Sequence, residues 1–329
     1  MNKQLVEWLD YCEIPYETNV DLKRRTWIHR GGMCELYISP RSRNDLIRVA
    51  TFMYLNNVDF TVLGSTSNVY ILDTCNLPIV LSTRKVNFFQ IKENIISVDA
   101  GTNVILLSKQ MVNKGINGFE YLTDLPGTIG AAIYNNSSCN GGSIASLLLS
   151  VEVVMSDGRL VLLSPEELDF KYRTSAFKEK KLTGVIVGVN LRATYAHDPH
   201  ELQKIAYRNK EERLQLLGDY SKSLGSTVNK CFSNGPKPLR FFIPLRIYDW
   251  ALKLLRVDFY TRKRRCKEFI CFLSGYKDVA KYISNDDIII FKWLDTEADT
   301  AFPRYLEFMS KVYRTDSVEI EIIENNGKG

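Results

Sequence analysis

Leu125-Pro126-Gly127-Thr128-Ile129-Gly130-Ala131-Ala132, followed by Asn135-Asn136-Ser137-Ser138 and Gly141-Gly142, is a run of small and amide residues from which no core can be built. Such residues let peptide N–H groups touch a ligand that bulkier side chains would hold off. A plain glycine-rich surface loop is the weaker alternative, because Leu125, Ile129 and Ile133 punctuate the run and would pin it down. A second run, Leu63-Gly64-Ser65-Thr66-Ser67-Asn68, ends the apolar segment Phe60 to Leu63 and offers consecutive backbone donors, as a pyrophosphate requires. Taken alone, that run reads equally well as a Gly-Ser turn between strands.

Outward from these runs the chain alternates in the manner of an α/β protein. A strand at Glu35 to Ile38, a helix over Leu46 to Leu55 and the strand Phe60 to Leu63 form one βαβ unit. Strands are expected at Ile79 to Leu81, Phe88 to Ile91, Ile95 to Val98, Leu149 to Met155, Leu160 to Leu163 and Leu182 to Ala193. A helix is expected over Val104 to Lys114, and Asp157-Gly158 turns a hairpin. Beyond Ala193 the texture changes to a charged helix, His200 to Leu217, a Pro-punctuated stretch (Pro236, Pro238, Pro244) and mixed segments. A domain boundary is therefore placed near residue 196.

Composition narrows the class without naming it. The 329 residues carry a net charge of +5, part of it in Arg262, Lys263, Arg264, Arg265 and Lys267, which reads first as a solvated face. The seven cysteines include no CxxC pair and only three histidines are present, so no metal site is expected and the thiols suit a reducing cytoplasm. Acidic residues interrupt the N-terminal segment, which excludes a secretory signal, and no run of about 18 apolar residues could span a membrane. Neither nucleic acid nor membrane is expected as a partner, and a monomer or weak dimer is expected.

Four segments, in order, resemble the UDP-N-acetylenolpyruvoylglucosamine reductase (UDP-N-acetylmuramate dehydrogenase) family. They are Thr26-Trp27-Ile28-His29-Arg30-Gly31-Gly32, Leu63 to Asn68, the stretch Gly118-Phe119-Glu120-Tyr121-Leu122 through Gly142, and Tyr172-Arg173-Thr174-Ser175-Ala176-Phe177. The resemblance implies an α+β fold of the PCMH or vanillyl-alcohol-oxidase type. Two FAD-binding subdomains, 1–85 and 86–195, would precede an α+β substrate domain, 196–329, whose strand near 318–323 returns to the active site. It implies one non-covalent FAD, held by Gly64, Ser65, Thr66, Ser67, Asn68, Pro126, Gly127, Thr128, Gly130, Asn135, Ser138 and Gly141, with NADPH as hydride donor.

Past residue 195 the likeness reduces to islands. Gly225-Ser226 is similar to the family's Gly-Ser element, Ala298 to Tyr313 to its last helix, and Val318-Glu319-Ile320-Glu321-Ile322-Ile323 to its terminal strand. Arg173, Ser226 and Glu321 are thereby expected to be catalytic, and Tyr172, Asn229 and Lys230 to meet substrate. Hydride addition to an enolpyruvyl double bond develops charge on the neighbouring carbon and carboxylate. Arg173 would stabilise that charge, a protonated Glu321 would donate to it, and Ser226 would supply the closing proton. Without the resemblance, Arg173 reads as a surface ion-pair partner of Glu167 or Asp169, Glu321 as an ordinary position of an alternating strand, and Ser226 as a turn residue.

This chain also departs from the family. Thr66 and Ala131 replace glycines, Ser137-Ser138 stands where smaller residues are usual, and Asn229-Lys230 reverses a Lys-Asn pair and lacks the following proline. The expected activity is cytoplasmic, NADPH-driven reduction of an enolpyruvyl UDP-sugar for peptidoglycan. The alternatives are an oxidoreductase acting on another nucleotide sugar in surface polysaccharide synthesis, and a non-catalytic flavin-binding protein.

Overall fold

A four-stranded sheet, a five-stranded sheet, two short strand pairs and a helical third part make up the computed structural model, which describes residues 3–217, 222–229, 236–285 and 287–324. In chain order the elements are α1 (Lys3–Tyr11), β1 (Tyr16–Asp21), β2 (Met33–Ile38), α2 (Arg43–Leu55), β3 (Thr61–Leu63), β4 (Val69–Ile71), β5 (Asn76–Ser82), β6 (Phe89–Lys92), β7 (Ile95–Asp99) and α3 (Val104–Asn113). They continue with α4 (Ile129–Tyr134), β8 (Ser138–Cys139), β9 (Gly142–Ser143), β10 (Leu148–Met155), β11 (Leu160–Leu163), β12 (Gly184–Arg192), α5 (Pro199–Leu217), α6 (Leu239–Leu254), α7 (Phe259–Ser274), α8 (Ala298–Phe308) and β13 (Glu321–Ile323).

The first sheet has the order β1-β2-β5-β3, with β1 antiparallel to β2 and the rest parallel. The expected βαβ unit is present as β2-α2-β3, but β5 lies between its two strands. Helix α2 forms where expected, because Ser42 caps it by accepting from the Asp45 amide, while Leu46, Val49, Ala50 and Met53 recur on one face. That face packs under both sheets: Leu46 and Met53 share a core with Leu36 and Leu81 of the first and with Val154, Val185 and Val187 of the second.

The second sheet is wholly antiparallel, β11-β10-β12-β7-β6. Its far face is covered by α3, α4 and part of α5. Here the sequence expectation fails in one respect: the small-residue run contains helix α4, and Ile129, Ala132 and Ile133 lie in the core. Their i, i+3, i+4 spacing is helical, and alanines let the helix approach the sheet closely, with Gly130 against Ala100.

One ion cluster ties α2 to the second sheet. Arg43 Nε donates to Asp99 at 2.7 Å and its Nη1 meets the Glu152 carboxylate at 3.1 Å. Gly188 makes room for it, since a Cβ there would stand 2.7 Å from the guanidinium carbon. Removing one partner of a largely buried cluster leaves the others uncompensated. Arg43→Ala is therefore expected to destabilise the chain by about 3 kcal/mol, read from the urea midpoint; a loss below about 1 kcal/mol would refute this role.

The third part is predominantly helical among the described residues, rather than an even mixture of helix and strand. It is centred on an aromatic cluster in which Phe291 lies 4.9 to 5.6 Å from the rings of Trp293, Phe302, Tyr305 and Tyr282. Tyr70 joins that cluster from the first part, and its hydroxyl donates to Asp299, which also pairs with the buried Arg30. Arg30 reaches the Asp295 carbonyl as well. Strand β13 then leaves α8 and pairs in parallel with β4. No helix of the described residues is long and apolar enough to cross a membrane, and no group of three His, Cys, Asp or Glu among them could hold a metal.

Candidate active site

The two small-residue turns face each other. A Cβ on Gly64 would lie 2.4 Å from Thr128 Oγ1, one on Gly127 (φ +142°) would lie 3.4 Å from Ser67 Oγ, and Ser67 donates to the Pro126 carbonyl at 2.9 Å. Between them opens a cavity of about 410 Å³, floored by Gly184, Val185 and Ile186 of β12 and walled on one side by Glu321, Ile322 and Ile323 of β13. Gly64 through Asn68, Pro126, Gly127, Thr128, Gly130 and Asn135 all line it. Ser138 and Gly141 do not: they belong to the β8–β9 hairpin, and Ser137 lines the cavity instead. The β12 floor was not foreseen, because a continuous apolar strand carries no mark of what lies above it.

The cavity suits a dinucleotide. Ser65 Oγ and Thr128 Oγ1 are buried in its wall with no hydrogen-bond partner, and unsatisfied buried hydroxyls of this kind are costly unless a ligand completes them. Thr66, in place of the family's glycine, holds a left-handed φ of +58°. Its hydroxyl accepts from the Trp27 amide at 2.8 Å and donates to the Ser65 carbonyl, contacts that offset the strain.

Beside the cavity a second group of side chains converges. Arg173, also left-handed at φ +56°, brings Nε to 3.5 Å from Glu319 Oε2, while the Tyr172 hydroxyl donates to Glu319 Oε1 at 3.2 Å. Segment 223–229 runs alongside: Glu319 N–H donates to the Thr227 carbonyl, Val228 bridges Val318, and the Asn229 amide donates to Ser317. Ser226 thus precedes the residue that anchors Glu319. Burial pushes the Glu319 carboxyl above its ordinary range, outweighing Arg173, Tyr172 and Lys178, which pull it down. Lys230 lies outside the described residues.

The two carboxylates at and just before the terminal strand, Glu321 and Glu319, have different surroundings. The one facing Arg173 and Tyr172 is Glu319, whereas Glu321 pairs with Lys178 at 2.8 Å, and Lys178 in turn donates to Asn135. Only Glu321 lies in β13, and the chain bends at Ile320, so strand alternation does not relate the two positions.

Comparisons with known proteins agree with this geometry. Residues 34–164 match the FAD binding domain family. Over 227 residues the chain is 30% identical to the UDP-N-acetylenolpyruvoylglucosamine reductase of Streptococcus pneumoniae serotype 19F (strain G54), covering 69% of each chain. The chain belongs to the UDP-N-acetylenolpyruvoylglucosamine reductase family. A second family member, from Streptococcus pneumoniae strain 70585, is 28% identical over 257 residues, covering 78% of this chain and 81% of the relative. The fold of the family enzyme from Thermus caldophilus is shared over 94% of this chain and all of that one, at a TM-score of 0.68 and 20% identity.

Proposed function

We propose that this chain is a FAD-dependent, NADPH-driven reductase of UDP-N-acetylenolpyruvoylglucosamine, forming the UDP-N-acetylmuramate needed for peptidoglycan. The observation that supports it most is the apposition of Gly64 and Thr128 across a cavity bearing two unsatisfied hydroxyls, with Arg173 and Glu319 beside it. The division at residues 85 and 195 follows the same reading, with 1–85 and 86–195 flanking the cofactor and 196–329 supplying substrate contacts.

FAD bound in the cleft would supply the hydride chemistry of the reaction, with NADPH as the donor. Ser65 and Thr128, whose hydroxyls lack partners, would hold its phosphates together with the backbone around Gly127. Arg173 engages the enolpyruvyl carboxylate and stabilises the charge that grows there. Glu319, which burial pushes toward its protonated form, donates to the same developing charge. In this reading Ser226 supplies the proton that completes reduction, and Tyr172 and Asn229 contact the substrate. Glu321, paired with Lys178, serves in the cofactor wall.

The protein is expected to purify yellow, with flavin released by acid. Anaerobic NADPH should bleach it, and UDP-N-acetylenolpyruvoylglucosamine should restore the colour. Bleaching without recovery would reject this substrate in favour of another nucleotide sugar, and a colourless chain that cannot be reconstituted would reject the enzyme. A cytoplasmic monomer or weak dimer is part of the same proposal.

A further inference from the structure

Helix α6 has apolar side chains on two opposite faces. Phe241 and Leu252 are buried, Phe241 in the core of the third part, whereas Leu239, Ile243, Ile247, Trp250 and Leu254 are 51% to 69% exposed. At about 100° per residue these five fall within a stripe roughly 80° wide, about 170° from the buried pair. Leu255, Phe259 and Tyr260, also exposed, extend the apolar surface to the start of α7. A contiguous patch of this kind marks a contact surface, unlike isolated exposed leucines.

Charge identifies what the stripe meets. Residues 239–274, spanning α6 and α7, hold nine Lys and Arg against three Asp and Glu, a net +6; the whole chain carries +5, so everything else sums to −1. Among the described residues, Arg240, Arg246, Arg256, Arg264 and Arg265 have no ion-pair partner. A cavity of about 710 Å³ between the two helices adds Arg246, Arg262, Lys263 and Lys267 beside the rings of Phe242 and Phe259. A second copy of the same face is disfavoured, because it would oppose two +6 surfaces. A nucleic acid would leave Leu239, Ile243, Ile247 and Leu254 uncovered.

We propose that the α6–α7 hairpin docks the protein on an anionic lipid surface, with the Leu239–Leu254 stripe entering the headgroup region and the surrounding arginines meeting lipid phosphates. An aliphatic and Trp stripe bordered by cations is the chemistry of helices that lie in a membrane interface. None of the described helices spans the bilayer in this arrangement, and the cofactor cleft is not involved.

The test is co-sedimentation of the FAD-loaded protein with vesicles of phosphatidylglycerol and phosphatidylcholine, or of phosphatidylcholine alone, at low and high salt. Binding is expected only to the anionic vesicles and should fall on the order of tenfold or more with salt. The pair Ile247→Asp and Trp250→Asp should weaken it by a similar factor, as should Arg264→Glu with Arg265→Glu, with flavin content and NADPH bleaching unchanged in all. No vesicle binding, equal binding to uncharged vesicles, or full binding by either variant pair overturns the proposal. Self-association abolished by Ile247→Asp, or RNA binding, each without vesicle binding, would assign the face to that other occupant instead.

Discussion

Glu319→Gln is expected to slow reoxidation of the reduced protein by the enolpyruvyl sugar nucleotide by about 10²- to 10⁴-fold, the usual scale for loss of a positioned proton donor, while bleaching by NADPH proceeds at nearly the wild-type rate. The asymmetry follows from position. Glu319 sits with Arg173 and Tyr172 beside the cleft and has no part in its wall, so only the half-reaction that develops charge on substrate depends on it. Glu321→Gln should have a smaller effect on reoxidation, because it loosens the Lys178 contact within the wall. If the Glu321 change slows reoxidation more, the roles must be exchanged.

The same carboxyl gives a pH signature. Burial raises its affinity for a proton, so reoxidation should decline as pH rises through the folded-state value, and Glu319→Gln should remove that limb. The sign carries over to stability. A carboxyl raised in the fold contributes fully below its unfolded-chain value, and the contribution is lost as pH climbs through the folded one.

Gly64→Ala is expected to weaken FAD binding by about 10²-fold while the chain remains folded. The added methyl would stand 2.4 Å from Thr128 Oγ1, which must move, and moving it withdraws a hydroxyl otherwise poised to donate to a phosphate. Losing one hydrogen bond to a charged group costs about 2–3 kcal/mol, which corresponds to that factor. Fluorescence titration of apoprotein with FAD measures it. In a Thr128→Ala background the Gly64 change should cost much less, because the two act through one contact. Full additivity would show that Gly64 acts elsewhere.

Local pattern revealed much of this architecture, and its failures have identifiable causes. Helix α2 was legible because a cap and an i, i+3, i+4, i+7 face coincide at Ser42 to Met53. The place of β5 between β2 and β3 was not, since strand order depends on pairing between distant segments. Helix α4 was obscured by residues whose smallness serves both close packing and ligand approach. That Glu319 rather than Glu321 faces Arg173 was not legible, because the chain bends at Ile320 and an expected alternating strand hides that bend. Helix α6 shows no one-sided apolar pattern in sequence because its two apolar faces cancel; exposure separates them.

The pairing of β13 with β4 bears on how the protein is made. Asn68 and Glu319 are in contact although they stand 251 positions apart, and Ile322 and Ile323 form part of the cavity wall. A ribosome will have released nearly all the preceding chain, including both sheets, before that wall exists. The wall can therefore close around a flavin only after β13 has been made, and nascent chains must keep the exposed edge of β4 from pairing with a neighbour until their own distant strand arrives.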